Sequence, residues 1–457
     1  MPRVLLDPPP PLDTLPPSSC VLGDVVVGGR EGRTVCVQAG AITEVREARP
    51  GDDRRFAGCV VAPGLIDSHQ HLPPASPLKL TGLFCLLHLL HGVTSVLEAG
   101  DGDGMAVASA RQLLIDGALP GPRVVTVGPF IARPPRQWRN SILLEDPVNP
   151  AMVVQAAIDR GAQMIKLYEE LTRADIEGIA AAAAERGLRA IGHVPAQLDM
   201  EDAGVPEVQH FFGVPTAESR RHAPGLVQRL ADWHAVDDAR LQTVVQASVE
   251  KGIGHTPTLV VSEGVLQARR PDAVAPLLPR MFQDVVWDRG KGIATYRNVT
   301  PEDDALLRDS LPVKRELVSR LHRAGVELFV GTDVPQPFVV PGASVHREMQ
   351  LFAEAGIGAG EVMEIATARA GRRLGIPGLG TLTPGAPADL LVAGSDPSRD
   401  LGALGSLRAV VAGGRLLETG TLRAAVERQL RHYRRPLVDR AGLIGARRAL
   451  KQISLRS

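Results

Sequence analysis

Val60-Val61-Ala62-Pro63-Gly64-Leu65-Ile66-Asp67-Ser68-His69-Gln70-His71 is the stretch on which the reading of the fold turns. Its β-branched and apolar residues read as a buried strand, bent at Pro63-Gly64. The run stops at a polar His-x-His. Residues two apart on an extended chain point to the same side, so His69 and His71 can offer both imidazoles to one point. Neutral imidazole binds divalent metals well. A pair of turn histidines after a core strand is the plain alternative. Whether other strands end in further ligands separates the two.

Beyond this stretch, strand-like and helix-like segments alternate. Candidate strands are Cys59–Asp67, Thr94–Glu98, Val124–Val127, Met164–Tyr168, Leu188–His193, Glu207–Phe211, Thr258–Val261 and Val326–Asp333. Between them Val107–Gly117, Pro150–Gly161, Arg173–Gly187 and Lys314–Gly325 have helical composition and end on glycine. Eight strands with intervening helices predict an α/β fold, a (β/α)8 TIM barrel, over residues 62–379. Short β-type runs punctuated by Gly28-Gly29 and Gly40 near the start, and Asp389–Val392, Leu407–Val411 and the Gly413-Gly414 hairpin near the end, are each too small to hold a core. Together, as residues 1–61 and 380–457, they predict a small composite β-sandwich domain, with residues 1–20 an irregular proline-rich arm.

In such a barrel the catalytic groups sit at the C-terminal ends of the strands. Here those ends carry His69 and His71, then Lys166-Leu167-Tyr168, His193, His210 and Asp333. Singly, each has an ordinary explanation: His193 a turn histidine, His210 a satisfied core histidine, Asp333 a helix cap. Jointly those explanations require several coincidences at one edge, so a metal site is the better reading.

Lys166 is the most informative of the group. The chain has six lysines among its 51 basic residues, so arginine is its usual cation. A lysine closing a buried apolar strand is costly unless paired or chemically altered. It either snorkels to the barrel mouth or, as a neutral amine, adds CO2 to give a carbamate that can bridge two metals. Arginine, always protonated, cannot do the latter.

With these residues in hand, the chain resembles the amidohydrolase superfamily, in particular its imidazolonepropionase-like and Xaa-Pro dipeptidase-like branch. The motifs that carry the resemblance are Pro63–His71, Ile165-Lys166-Leu167-Tyr168, Gly192-His193, Gln209-His210, Gly331-Thr332-Asp333, Arg369–Gly375 and Gly378–Leu390. They run in the family's order over about residues 20 to 420. The resemblance implies that His69, His71 and Asp333 hold the more buried of two divalent metals, zinc first, and that His193 and His210 hold the second. A carbamate on Lys166 and a hydroxide would bridge the two. Asp333 would act as general base and then acid, and Tyr168 would donate to the developing oxyanion, packing under a helix being its alternative. One departure is Gln209 where the family often has glutamate.

Other candidates are secondary. His346 follows strand eight and could face substrate, unless it lies on a helix surface. Arg133, Arg136 and Arg139 around Trp138 could clamp a carboxylate, a solvated loop being the alternative for at least two. His88, His91, His255 and His322 are assigned to structure. The segment holding Arg220-Arg221-His222 and Trp233-His234, and the segment Gln267–Arg308, are long enough to form a lid.

Composition narrows the class. At 457 residues, with zero net charge and 44% hydrophobic content, nothing marks disorder or a nucleic-acid footprint. Four cysteines without a Cys-x-x-Cys pair suit a reducing compartment. There is no basic leader running into an apolar segment, and Leu78–Leu97, the most hydrophobic long run, carries Lys79, His88 and His91. A cytoplasmic enzyme acting on a small molecule is the expectation, without nucleic-acid or membrane partners and with room for a homo-oligomer. From Arg423 onward the tail holds nine arginines and one lysine against one glutamate and one aspartate, a net charge of +8, as in a solvated arm or subunit contact. The predicted reaction is hydrolysis of an amide-type C–N bond in a dipeptide, N-acyl amino acid or cyclic amide. Hydrolysis of a lactone or organophosphate, a mononuclear deaminase that would not need Lys166, and a non-catalytic scaffold are the alternatives.

Overall fold

The bend at Pro63-Gly64 separates two sheets. In a computed structural model, which describes residues 8–73, 79–115, 119–220, 225–268, 277–280, 284, 287 and 299–453, the expected strand Cys59–Asp67 is two strands, β4 (Val60–Pro63) and β5 (Leu65–Gln70). A Cβ on Gly64 would lie 2.1 Å from the Thr94 hydroxyl oxygen. Only glycine lets the chain cross there.

β4 belongs to a sheet drawn from distant parts of the chain. β1 (Cys20–Val27), β2 (Arg30–Gln38) and β3 (Ala41–Glu47) precede it, and β14 (Leu390–Ala393), β15 (Leu407–Ala412) and β16 (Arg415–Glu418) come far after it. The order is β16-β15-β14-β4-β1-β2-β3. The β15–β16 turn is Gly413-Gly414 with φ of 54° and 80°, the positive pair a tight hairpin needs. Leu22, Val25, Val35, Ile42, Val61, Leu390, Val392 and Val411 pack in one cluster, and each such side chain taken from water contributes about 1.5–3 kcal/mol. Bonds from Ile42 N to Ala386 O and from Ala388 N to Gly40 O bring β3 round against the segment before β14. The predicted composite β domain is thus a single seven-stranded sheet.

The central region alternates strand and helix except over β7 to β9, which follow one another without a helix. A three-stranded parallel sheet runs β5, β6 (Val93–Glu98), β7 (Arg123–Thr126). A six-stranded one contains β8 (Phe130–Ala132), β9 (Ser141–Leu143), β10 (Ile165–Leu167), β11 (Ala190–Gly192), β12 (Glu207–Gln209) and β13 (Gly254–Thr256), in the order β13-β12-β11-β10-β8-β9. Thr126 O accepts from Gln163 N and Met164 N, joining the two sheets on one side. On the other side His255 N bonds Glu327 O, Phe329 N bonds His255 O, and Ser68 N bonds Val330 O. Residues 327–334 therefore lie between β13 and β5, the place expected for strand eight. They make only isolated bridges, His255 to Leu328 and Gln70 to Val334, so Val326–Asp333 is not a regular strand and no closed barrel is assigned among the described residues.

The helices are α1 (Thr81–Leu90), α2 (Ala106–Ile115), α3 (Pro150–Asp159), α4 (Arg173–Ala184), α5 (Leu226–Ala231), α6 (Asp238–Lys251), α7 (Leu259–Gln267), α8 (Pro301–Arg323), α9 (Ala343–Glu354), α10 (Ala359–Glu364), α11 (Ala370–Arg373), α12 (Thr419–Tyr433) and α13 (Pro436–Ile453). Two expectations fail for identifiable reasons. Thr258–Val261 is not strand seven. That strand is Gly254–Thr256, and Leu259 and Val260 open α7, their amides held by the Glu348 carboxylate at 2.9 and 2.8 Å. Helix α8 begins well before Lys314 because Thr300 and Asp303 form a capping box with Pro301 in the first turn, and Pro312 is tolerated inside it. The basic tail is not an arm but two helices, α12 and α13. No helix among the described residues is long and apolar enough to cross a membrane.

Candidate metal centre

The strand ends converge. His69 is the last residue but one of β5 and His71 follows the strand, Lys166 sits in β10, and His193 and His210 immediately follow β11 and β12. Asp333 is the common neighbour of three of the histidines. Its Oδ1 lies 3.4 Å from His69 Nε2 and 3.2 Å from His71 Nε2, and its Oδ2 lies 3.9 Å from His210 Nε2. The His69 and His210 ring centroids are 4.7 Å apart, and those of His193 and His210 are 5.1 Å apart. His69, His210 and Asp333 place one ligand atom each within 4.8 Å of the others, a grouping that can hold a cation.

The outer nitrogen of every ring is committed. His69 Nδ1 meets Gln209 Oε1 at 2.5 Å, His71 Nδ1 meets Glu98 Oε1 at 3.2 Å and Gly100 O at 3.1 Å, His193 Nδ1 meets Glu169 Oε1 at 2.8 Å, and His210 Nδ1 meets Thr258 Oγ1 at 2.7 Å. Anchored there, the rings leave their Nε2 atoms for a ligand, the arrangement usual around a metal. The donor set therefore fits a divalent cation.

Burial sets the charges. It draws His69 down to about 4 and His193 to about 3, with the Lys166 cation adding to both, and it holds His210 well below its usual value. Neutral imidazole is the form that ligates. His71 differs. Burial pulls it down, but Asp333 and Glu98 outweigh that and push it up to about 10, so a cation there has to displace a proton. Burial lifts Asp333, yet His210, His69 and His71 together keep it well below the carboxylate range. Lys166, 1% exposed, is lowered by burial to about 8, against the attraction of Asp333, Glu207 and Glu169.

Backbone strain gathers at the same place. His210, Phe211, Thr258 and Asp333 have φ of 61°, 55°, 49° and 57°, the left-handed region that side chains other than glycine's avoid. Strain of this kind persists where the surroundings over-determine it, as at functional sites. Asp67 fixes the join between β5 and the Asp333 segment, accepting from Thr332 Oγ1 at 2.6 Å and Thr332 N at 3.1 Å.

Tyr168 lies beside the centre, its ring 4.7 Å from that of His193, and its hydroxyl oxygen accepts from Trp138 Nε1 at 3.1 Å. The secondary candidates are engaged elsewhere. His346 Nε2 is bonded to His91 O at 2.7 Å. Arg136 holds the carbonyls of Arg139 and Ser141 within its own exposed loop, and Arg139 is exposed. Arg133 is paired with Asp175 and Asp146. Arg220 is buried against the carbonyls of Pro215, Ala196 and Leu198. Arg221 and His222 lie outside the described residues, as does most of the segment from residue 269 to 298.

Sequence reasoning did not find Glu98, Glu169 or Thr258, which anchor three of the four rings. A signal existed for Glu98, a charge closing the strand-like run Val93–Leu97. Glu169 accepts from Arg229 at 2.7 Å, and that cation, with His193, brings it down to about 2 despite burial. Arg229 is far away in sequence and nothing linear announces the pair.

No curated protein matches this chain. Among solved structures it is similar to a bottromycin amidohydrolase, with 22% identity, 94% of this chain and 92% of that one covered, and a TM-score of 0.70. A prolidase complexed with N-methylphosphonate-L-proline shares 20% identity over 88% of this chain and 99% of its own, with a TM-score of 0.62. A Xaa-Pro dipeptidase with methionine in its active site shares 18% over the same shares, also with a TM-score of 0.62. At such identities the likeness is one of fold, an α/β architecture with a TIM barrel. The sequence profile that describes the Amidohydrolase family matches residues 60–417, from the first residue of β4 to the last strand of the composite sheet, and the chain belongs to that family.

Proposed function

We propose that the chain is a metal-dependent hydrolase of an amide-type C–N bond in a small substrate, with a dipeptide, N-acyl amino acid or cyclic amide as the substrate class. The reading includes a division into a barrel over residues 62–379, closed by residues 327–334, and a composite β domain of residues 1–61 and 380–457 that carries the C-terminal tail. Hydrolysis itself rests on family membership. The observation that supports the metal is the set of four histidines, each anchored through Nδ1, three of them around the ionised Asp333 and His193 beside His210.

His69, His71 and Asp333 would hold one divalent cation, zinc first, and His193 and His210 a second, with a carbamate on Lys166 between them, and when bound the pair supplies Lewis acidity toward a carbonyl oxygen and toward water. The chain's own residues do the rest. Burial lowers Lys166 to about 8, which raises the share of neutral amine able to add CO2. Asp333, ionised among histidines, accepts the proton of the attacking water and returns it to the leaving nitrogen. Tyr168 stays protonated because burial raises it. Its oxygen already accepts from Trp138, so its own proton is free to be given to an oxyanion. The dipeptidase and prolidase likenesses make Xaa-Pro dipeptides the first substrates to try.

The test is elemental analysis of protein purified without chelator, beside Lys166→Ala, with hydrolysis of a panel of Xaa-Pro dipeptides and N-acyl amino acids. About two metals per chain, falling sharply in the variant together with hydrolysis, is the expected result. One metal unchanged by the substitution removes Lys166 from the centre. No metal overturns the proposal.

A further inference from the structure

His69 differs from His71 and His193 in what backs it. Those two rest on carboxylates, whereas His69 Nδ1 rests on the side-chain amide of Gln209. A carboxylate can only accept, so it forces the facing nitrogen to carry the proton. An amide has two faces. Its oxygen would ask for a protonated Nδ1, leaving the Nε2 lone pair for a cation, while its NH2 would ask for the opposite tautomer and put a useless proton on Nε2. Something must hold the amide one way round.

We infer that Arg373, acting through Glu207 and Gln209, fixes the tautomer of His69 and so makes Gln209 a positioning residue of the centre. The inference rests on the metal-site reading above. Arg373, its side chain fully buried, donates through Nε to Glu207 Oε2 at 2.6 Å and through a second nitrogen to Glu207 Oε1. It also donates to the Ser68 carbonyl at 3.2 Å, next to His69, and lies over the Phe329 ring at 4.5 Å. A carboxylate gripped by a guanidinium in this two-pronged way offers acceptors alone. Glu207 Oε1 accepts from Gln209 Nε2 at 2.9 Å and from Thr256 Oγ1 at 3.0 Å. The amide nitrogen is therefore bound to face Glu207, and the amide oxygen to face His69.

This relay is built by three elements: β5 with His69, β12 with Glu207 and Gln209, and α11 with Arg373, which stands 166 residues from Glu207 in sequence. It gives the Gln209 departure from the family's usual glutamate a function. The neutral amide does the work of a carboxylate without placing a second negative charge beside Glu207.

The test compares zinc affinity, by competition with a chromophoric chelator, and the visible absorption of the cobalt-substituted protein, in the parent, Gln209→Met and Gln209→Glu, with folding checked by thermal denaturation. Gln209→Met keeps length and volume but removes the acceptor. We expect its affinity to fall about 10–100-fold, the usual loss for an outer partner of a ligating histidine, with an altered cobalt spectrum. Gln209→Glu restores an acceptor toward Nδ1 but sets a second carboxylate against Glu207, so it is expected to recover only part of the affinity lost in Gln209→Met. Should Gln209→Met not fold, Gln209→Leu makes the same comparison. A folded Met or Leu variant with parental affinity and spectrum overturns the inference while leaving the metal site standing. A parent that binds no metal overturns the proposed function and this inference with it.

Discussion

Replacing Lys166 with methionine should stabilise the metal-free protein while destroying its centre. The lysine is 1% exposed, and burial, net of the attraction from Asp333, Glu207 and Glu169, brings it from 10.5 to about 8. Below pH 8 both folded and unfolded chains carry the proton, and the folded chain bears the whole desolvation cost. At about 1.4 kcal/mol for each tenfold change in proton affinity, that cost is roughly 3 kcal/mol. Methionine has similar length and no charge, so the cost disappears. The sign in pH follows. Between 8 and 10.5 the unfolded chain binds more protons than the folded one, so parent stability should rise across that window. Urea unfolding of chelator-stripped parent and Lys166→Met at pH 7 and at pH 9.5 measures both effects. The variant should unfold at higher urea at pH 7 and lack the rise, and metal retention by the variant should collapse. A metal-free variant less stable than the parent at pH 7 would refute the reasoning, because it would mean that the surrounding carboxylates hold the ammonium more strongly than burial opposes it.

Burial holds His88 and His255 at about 3 and His346 at about 4. Folded values below the unfolded 6.5 make stability complete above pH 6.5 and progressively lost from 6.5 toward 4. Urea midpoints should fall steeply between pH 7 and 5, and a flat profile would count against neutral buried rings. Gly331→Ala places a Cβ 2.6 Å from Thr256 Cγ2 and 2.7 Å from His69 Cβ. It should cost about 1–3 kcal/mol by thermal denaturation and lower metal content, and an unperturbed variant would show that the segment yields freely. Thr258→Val strips the partner from His210 Nδ1 and should cost about 1–3 kcal/mol along with part of the bound metal, read by elemental analysis. Full metal content would show that Thr258 does not orient the ring.

What could be read from the sequence was the part governed by local pattern. Histidines placed just past apolar runs stand where the strand period puts them, and Lys166 was conspicuous because a charge closing a buried run is costly. The seventh strand was misplaced because Gly254-His255-Thr256 lacks the β-branched run that Val260-Val261 displays. Those valines are helical because Glu348, distant in sequence, caps the first amides of the helix, those of Leu259 and Val260. Pro312 hid the first half of α8, since a proline reads as a stop unless a capping box upstream has already set the helix. The relay from Arg373 to His69 and the Arg229–Glu169–His193 chain were invisible for a different reason. Each joins groups whose proximity is created by the fold, and no spacing rule encodes it.

Strand β4 imposes an order on how the molecule comes together. Its register with β14, Pro63 opposite Leu390 through Val60 opposite Ala393, cannot form on the ribosome until residue 393 has emerged. All six candidate ligands are synthesised before then. Until that moment β4 presents an open ladder edge directly upstream of His69, with the exposure to mispairing that such edges bring, and closing so long a loop is slow. The sheet that precedes the centre is therefore completed late. A chain cut short before β14 would hold every ligand and still leave the first of them hanging from an unfinished sheet.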